Sequence, residues 1–222
     1  MRKTIIATAI LLGTTLSMPA HAQFNKLRAL AGGSSEAAAP AAAAPDAAAQ
    51  EALVQRFVAS QSHSMQAQEA FARAFGLAEE VQLLEAERLA LSSGSVNTDA
   101  LQKSISVSER VQSALDARQA QQPELGEEAR GHYAQGLMAL LLSLNEARQL
   151  SADASSFAAG MKNLNAMQLA TLGRKLGAGI WLAKESPGYV RNLYGNGKSA
   201  VTFARASKIA VPKDADSFLD MI

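Results

Sequence analysis

The sequence predicts an all-α protein: a single helical bundle of five to seven helices that follows a signal peptide and a disordered Ala/Pro-rich tether. From about residue 47 onward, apolar residues recur at the helical period, and no convincing stretch alternates apolar and polar residues as a half-buried strand does. The residues that dominate this part of the chain, Ala, Leu, Gln, Glu and Arg, favour helices. The expected division is a signal peptide over 1–22, a flexible segment over 23–47 and a helical domain over 48–222.

The start of the chain has the three parts of a secretory signal. Arg2 and Lys3 give a positive start, residues 4–16 are mainly apolar, and residues 20–22 (Ala-His-Ala) have the small-x-small pattern of a cleavage site. The pattern predicts a bacterial Sec signal, a mature chain that begins at Gln23 and a periplasmic location. The apolar stretch is too short for a stable span, so the processed chain is not expected to cross a membrane. An uncleaved N-terminal anchor is the alternative.

The tether is predicted from composition. Ten of the thirteen residues 37–49 are alanine, and Pro40 and Pro45 interrupt any continuous helix. This segment has too little apolar surface to offset an ordering entropy of about 1–2 kcal/mol per residue. It would join a short amphipathic piece, residues 24–30, to the helical domain.

Apolar stripes and caps predict the helices that follow. The Asn97-Thr98-Asp99 cluster offers an N-cap between the first two stripes, and Pro123 is expected to begin the next helix. The stripe residues are Leu77, Val81, Leu84 and Leu91, then Leu101, Ile105, Val111 and Leu115, then Tyr133, Leu137, Leu140, Leu144 and Ala147, the last group widened by Leu141 and Leu142. The third stripe is the strongest, and we expect it to run through the centre of the core.

Breaks divide the C-terminal part of the pattern. Residues 163–165 (Asn-Leu-Asn) are expected to end the long helix, and a further helix is expected over 166–184, ended by residues 186–188 (Ser-Pro-Gly). Helical character resumes over 189–209, on both sides of a break at residues 195–197 (Gly-Asn-Gly).

Composition and motifs exclude most catalytic classes. The chain has no cysteine, which excludes a disulfide scaffold, a zinc finger and a cysteine nucleophile. Residues 195–199 (Gly-Asn-Gly-Lys-Ser) have Asn192 where a phosphate-binding loop needs glycine, so a helix break with Ser199 as a cap is expected there. His63 and His132 lack the partners of a metal site, and no Gly-x-Ser-x-Gly elbow occurs. We therefore expect no enzyme activity, cofactor, metal or nucleotide.

Charge is unevenly distributed along the chain. Residues 46–128, the acidic section, contain 13 acids and 6 bases, whereas residues 162–213, the basic section, contain 9 bases and only Glu185 as an acid. Such asymmetry marks a surface for an anionic partner, unless the acidic and basic helices face each other within the bundle. Both interpretations stay open at this point.

The predicted 166–184 helix carries a second, mixed face. This face combines Met167, Arg174, Trp181 and Leu182, a composition enriched in binding hot spots, although burial in the core would also explain it. The predicted partner-binding residues are Arg174, Lys175, Trp181, Met167, Leu182, Arg191 and Lys198.

The sequence thus predicts a non-catalytic binding or adaptor protein of the bacterial envelope that acts on another protein through its basic C-terminal region. The alternative is a periplasmic carrier or chaperone that holds an apolar ligand, such as a lipid or an unfolded chain, between its helices. An apolar or anionic lipid is therefore a second partner class, and nucleic acid is not expected.

Overall fold

The computed structural model describes residues 44–93 and 96–219, without the side chains of Leu169 and Phe218. The predicted signal peptide and most of the predicted tether lie outside these residues. The described helices are α1 (Ala47–Ala74), α2 (Ala78–Ser93), α3 (Thr98–Ala120), α4 (Glu127–Lys162), α5 (Ala166–Gly173), α6 (Gly177–Ala206) and α7 (Ala215–Leu219). The described residues form these seven helices and no strand, which confirms the all-α prediction.

Helices α1 and α4 form the central antiparallel pair. Ser60 Oγ donates to the Ser143 carbonyl oxygen at 3.1 Å, and Ser143 Oγ donates to the Ser60 carbonyl oxygen at 2.8 Å. One turn away, Arg56 Nη1 lies 3.1 Å from Glu146 Oε2. Helix α6 packs against both α1 and α4, and α2 and α3 pack against α1.

Side-chain caps begin several helices, one of them at the predicted place. Asn97 Oδ1 accepts from the backbone N–H of Ala100 at 2.9 Å, as the Asn97-Thr98-Asp99 cluster predicts. Asn165 forms a capping box with Gln168 at the start of α5, which confirms the predicted break after α4. Helix α4 begins at Glu127 rather than at Pro123. The earlier start was wrong because Gln122 has left-handed backbone (φ 47°) and Gly126 is the N-cap.

The predicted central stripe of α4 is buried: Tyr133, Leu137, Leu140, Leu144 and Ala147 are each at most 5% exposed. They belong to the first core cluster, in which the rings of Phe71, Phe75, Tyr133 and Phe203 contact one another. A second core cluster contains Leu53, Phe57, Leu101, Leu150, Ala154, Phe157, Leu176 and Leu182. The widening of the stripe by Leu142 was wrong, because this side chain is 53% exposed.

The predicted helix boundaries after residue 166 require correction. Helix α5 ends at Gly173, and α6 runs from Gly177 to Ala206 through both predicted breaks. The chain turns at residues 174–176, where Leu176 N–H donates to the Leu172 carbonyl oxygen at 2.7 Å. This turn places Leu176 in the second core cluster, so burial of its side chain accompanies the break.

Helix α6 tolerates its proline and glycines because tertiary packing outweighs local propensity. Pro187 is exposed, and Ser186 Oγ donates to the Leu182 carbonyl oxygen next to it. Gly197 is buried: a Cβ there would lie 2.9 Å from Leu219 Cδ2, so glycine lets α7 approach closely. Because α6 continues through residues 195–197, Ser199 lies within the helix and does not cap it.

In the described part of the chain, no helix is both long and apolar enough to cross a membrane.

Candidate functional site

Four bases form a stripe along the outward face of α6. They are Lys184, Arg191, Lys198 and Arg205, and all four are exposed. Each follows the previous one by seven residues, which is about 20° short of two helical turns, so the four lie nearly in line. At about 1.5 Å per residue, this basic stripe is about 30 Å long with a charge every 10 Å or so.

The spaces between the charges are open. Gly188 and Gly195 lie four residues after Lys184 and Arg191, on the same face of the helix. A Cβ at either glycine would have no neighbour within 4 Å. A partner's backbone or side chain can therefore approach α6 closely between successive bases.

The two inner bases of the stripe have no counter-ion within the described residues. Arg191 and Lys198 take part in no ion pair there, whereas the two outer bases do. Lys184 Nζ lies 3.6 Å from Glu185 Oε1, and Arg205 Nη2 lies 2.6 Å from Asp216 Oδ1. The middle of the stripe thus presents uncompensated positive charge to solvent.

The described ion pairs show whether residues of the acidic section pair directly with residues of the basic section. Most ion pairs that involve the acidic section join two residues of that section. They are Glu69 and Glu85 with Arg73, Glu69 with Arg88, and Glu87 with Lys103. Among the described residues, no ion pair joins the acidic section to the basic section. Direct ion pairs between facing helices therefore do not neutralise the bases of α6.

The predicted binding residues lie in separate parts of the structure. Met167 is 81% exposed on α5, and Arg174 and Lys175 are exposed in the turn between α5 and α6. Trp181 is half-buried and packs against the second core cluster. Leu182 was wrongly placed on a binding surface, because its side chain is 0% exposed within that cluster. The shared face of Met167 and Trp181 does not exist, since the two residues lie on different helices.

Arg191 and Lys198 are the two predicted binding residues that lie on the outward face of α6, in the middle of the basic stripe. Sequence reasoning counted Lys184 and Arg205 in the basic section but missed their common seven-residue spacing with this pair. The spacing was visible in the sequence, but the two predicted breaks within 184–205 concealed that one helix carries all four.

A cavity of about 830 Å³ lies beside the C-terminal half of the stripe. The end of α3, the 121–126 connection, the start of α4 and the end of α6 form its walls. Its charged lining residues are Arg130, Lys198, Lys208, Asp116 and Glu124. Lys198 therefore belongs both to the stripe and to the wall of this stripe-side cavity.

Helix ends shape the walls of the stripe-side cavity. Lys208 follows the C-cap of α6 with φ 56°, and the next residue, Ile209, donates its N–H to the Ala204 carbonyl oxygen at 2.8 Å, as in a Schellman motif. Gln122 has φ 47° after the end of α3. Non-glycine residues seldom adopt this backbone, and both of these line the cavity. Lys208 has no ion-pair partner among the described residues, so its ammonium adds to the unpaired charge.

A second cavity, of about 330 Å³, lies between α1, α3 and α6. Amide and hydroxyl side chains dominate its lining, including Gln61, Ser64, Ser108, Gln112, Asn192 and Asn196, with Tyr189 and the carboxylates of Glu109 and Glu185. Burial raises the pKa of Tyr189 to about 12, against the lowering effect of its hydrogen bond with Ser60.

No group of three His, Asp or Glu side chains within the described residues is arranged to hold a metal ion. No protein-family model, curated protein or solved structure matches the chain.

Proposed function

We propose that this chain is a non-catalytic binding or adaptor protein of the bacterial envelope, exported to the periplasm, which binds an acidic protein partner through the basic stripe of α6. The observation that carries the proposal is the pair of unpaired bases, Arg191 and Lys198, at the centre of four bases in line. A partner that brings carboxylates to this face would meet charges that the bundle itself leaves uncompensated.

The geometry supports an extended acidic partner. Charges about 10 Å apart over about 30 Å match a helix that carries acids at the same seven-residue interval. Open space at Gly188 and Gly195 would let such a helix lie close to α6. The stripe-side cavity would accept a side chain or chain end of the partner beside Lys198.

The alternative, a carrier for an apolar ligand, finds less support. The apolar cavity lined by Leu137, Leu140 and Leu144 is too small to admit a water molecule. Both of the larger cavities described above have charged side chains in their linings, which disfavours a wholly apolar ligand. The bundle core around α4 is therefore filled by its own side chains.

Binding of polyglutamate, measured by isothermal titration calorimetry at low salt, tests the proposal. The Arg191→Glu/Lys198→Glu variant should bind at least about tenfold more weakly, because two attractive charges become repulsive. Arg110→Glu/Arg118→Glu is the matched control: it changes the net charge by the same amount at two exposed bases of α3 that have no described ion pair. The control should bind nearly as tightly as the unmodified protein.

Equal losses in both variants would show that only net charge matters, and the stripe would not be the binding surface. Vesicles that contain anionic lipid test the competing partner class, an anionic lipid surface. Binding to these vesicles, lost in the stripe variant, together with no binding to polyglutamate, would replace the acidic protein by a lipid surface.

A further inference from the structure

Helix α4 has an outward face without charged residues. Seven positions at alternating intervals of four and three residues form this uncharged face, and each is exposed or half-buried: Gly131, Gln135, Met138, Leu142, Asn145, Gln149 and Ala152. Because the average interval is close to 3.6 residues, the face runs nearly parallel to the helix axis for about 30 Å.

The centre of the uncharged face is apolar. Met138 is 57% exposed and Leu142 is 53% exposed, although both side chains are large and apolar. They are four residues apart, so they lie side by side on the helix. Leu141 is half-buried next to them and packs against the first core cluster. These residues form a continuous apolar patch of the kind that a partner surface covers.

The uncharged face is nearly palindromic about residue 140. Met138 and Leu142 each lie two residues from this point, and Gln135 and Asn145 each lie five residues from it. In an antiparallel helix pair with a two-fold axis, positions at equal distances on opposite sides of the axis meet. Met138 of each copy would then contact Leu142 of the other copy, and Gln135 of each copy would meet Asn145 of the other.

The two amides indicate what covers the apolar centre. The side chains of Gln135 and Asn145 form no hydrogen bond within the described residues. A lipid chain on this face would remove both amides from water without replacing their hydrogen bonds, which costs free energy. A second copy of the chain supplies a carboxamide opposite each of them, and a carboxamide both donates and accepts. The occupant that matches this face is therefore a second copy.

Charges at the edges of the uncharged face do not oppose this arrangement. In the antiparallel register, Arg148 would lie near Ala134 of the second copy, and Glu128 would lie near Ala152. No like charges would therefore meet at these positions. The antiparallel arrangement also places the opposite ends of the two helix dipoles beside each other.

We propose that this chain forms an antiparallel, two-fold symmetric dimer through the uncharged face of α4, with residue 140 at the axis. A contact about 30 Å long and about 10 Å wide covers about 300 Å² of each copy. Stable complexes bury about 800 Å² of each partner, so this dimer should be weak and should dissociate on dilution. The interface is independent of the proposed function, because the basic stripe lies on α6.

Introduced cysteines test the register, because the chain has no cysteine of its own. Gln135→Cys and Asn145→Cys are mixed in a glutathione redox buffer, and the disulfide-linked dimers are identified by mass spectrometry. The mixed dimer should form in preference to either homodimer, since the two positions meet only across the antiparallel axis. Preferential formation of the two homodimers would indicate a parallel pair and would overturn the proposal, as would the absence of any preference.

Charged substitutions at the apolar centre test the contact itself. Sedimentation equilibrium at about 10 μM to 1 mM protein measures the dimer dissociation constant. Met138→Glu and Leu142→Lys should each raise it at least about tenfold, and an equimolar mixture of the two variants should recover dimerisation, because the new charges would face each other. Leu89→Glu is the control, since Leu89 is a 67% exposed apolar residue on α2, and should have no effect.

Three results of the sedimentation experiment would contradict the dimer. The unmodified protein could remain monomeric up to about 1 mM, Leu89→Glu could weaken association as much as Met138→Glu does, or the mixture of Met138→Glu and Leu142→Lys could show no recovery. Recovery in the mixture would also show that both variants are folded, so loss of structure could not explain their weaker association.

Discussion

The acidic section, residues 46–128, and the basic section, residues 162–213, use their charges in opposite ways. In the first, Arg73, Arg88 and Lys103 form ion pairs with three carboxylates of the same section, and one of these carboxylates, Glu87, is buried, with Lys103 Nζ 2.7 Å away. In the second, Arg191, Lys198 and Lys208 have no ion-pair partner among the described residues. These ion pairs of the acidic section therefore contribute to folding, whereas the three unpaired bases of the basic section are free to contribute to binding.

Helix α6 shows the same division across its own width. Its inward face contributes to both core clusters, through residues such as Leu182, Val190, Leu193 and Phe203. Its outward face carries the basic stripe. Substitutions on the inward face should therefore lower stability, and substitutions on the outward face should change binding.

The largest expected effect is at Leu182. Leu182→Ala should lower the free energy of unfolding by about 2–5 kcal/mol, because it removes a fully buried side chain and leaves a cavity. Met167→Ala is the control, since Met167 is 81% exposed, and should change it by less than about 0.5 kcal/mol. Urea denaturation measures both; a small effect at Leu182 would mean that this part of α6 does not lie in the core.

Lys103 tests the folding role of charge in the acidic section. Lys103→Ala leaves the Glu87 carboxylate buried without its ion-pair partner, so the free energy of unfolding should fall by about 1–3 kcal/mol. Arg191→Ala, in the basic section, should leave it within about 0.5 kcal/mol of the unmodified value. If the two variants were equally stable in urea, the contrast between the sections would fail.

Alkaline pH tests the inward face of α6 through Tyr189. Its pKa is about 12 in the folded protein, against about 10 for an unfolded tyrosine. Between these values the unfolded state loses the proton that the folded state keeps, so Tyr189 should lower the stability by up to about 1.4 kcal/mol per pH unit. Burial also raises the pKa of Tyr133 and of Tyr194, and these two tyrosines add to the fall. Urea midpoints above and below pH 10 or so check this. Tyr189→Phe should make the dependence on pH shallower; an unchanged slope would place the hydroxyl in solvent.

The sequence was sufficient for the fold class and for much of the core. The stripe from Tyr133 to Ala147 is buried as predicted, because a helical period with large apolar residues specifies one face. The cap at Asn97 and the end of α4 before Asn165 were also predicted from local chemistry. These features depend on residues that lie close together in the chain, so a single sequence is enough to predict them.

The helix boundaries after residue 166 could not be predicted in the same way. Pro187 and Gly197 are local signals of a helix break, but distant residues decide the outcome: Leu219 packs where a side chain at residue 197 would be. Leu176, next to the break between α5 and α6, likewise packs in the second core cluster. Because these contacts join distant parts of the chain, the continuous α6 and its stripe emerged only in the structure.

The smallest expected effect concerns the N-terminal side of the stripe. Arg174 and Lys175 precede Lys184 by about nine or ten residues, beyond the stripe's first base. Arg174→Glu/Lys175→Glu should therefore weaken polyglutamate binding only about two- to fivefold, through partly screened charge. Calorimetry under the conditions used for Arg191→Glu/Lys198→Glu gives the comparison. A loss larger than in that variant would move the binding surface to the turn between α5 and α6.

A charge exchange across the proposed interface tests the central claim most directly. The first probe is a helical peptide with Glu at seven-residue intervals. The second probe is the same peptide with Lys in place of each Glu. The unmodified protein should bind the Glu peptide and not the Lys peptide, and Arg191→Glu/Lys198→Glu should reverse this preference, since each variant side chain would then face its opposite charge. If the variant loses the Glu peptide without gaining the Lys peptide, or if a Glu peptide of scrambled spacing binds equally well, the basic stripe of α6 is not the surface that recognises the partner.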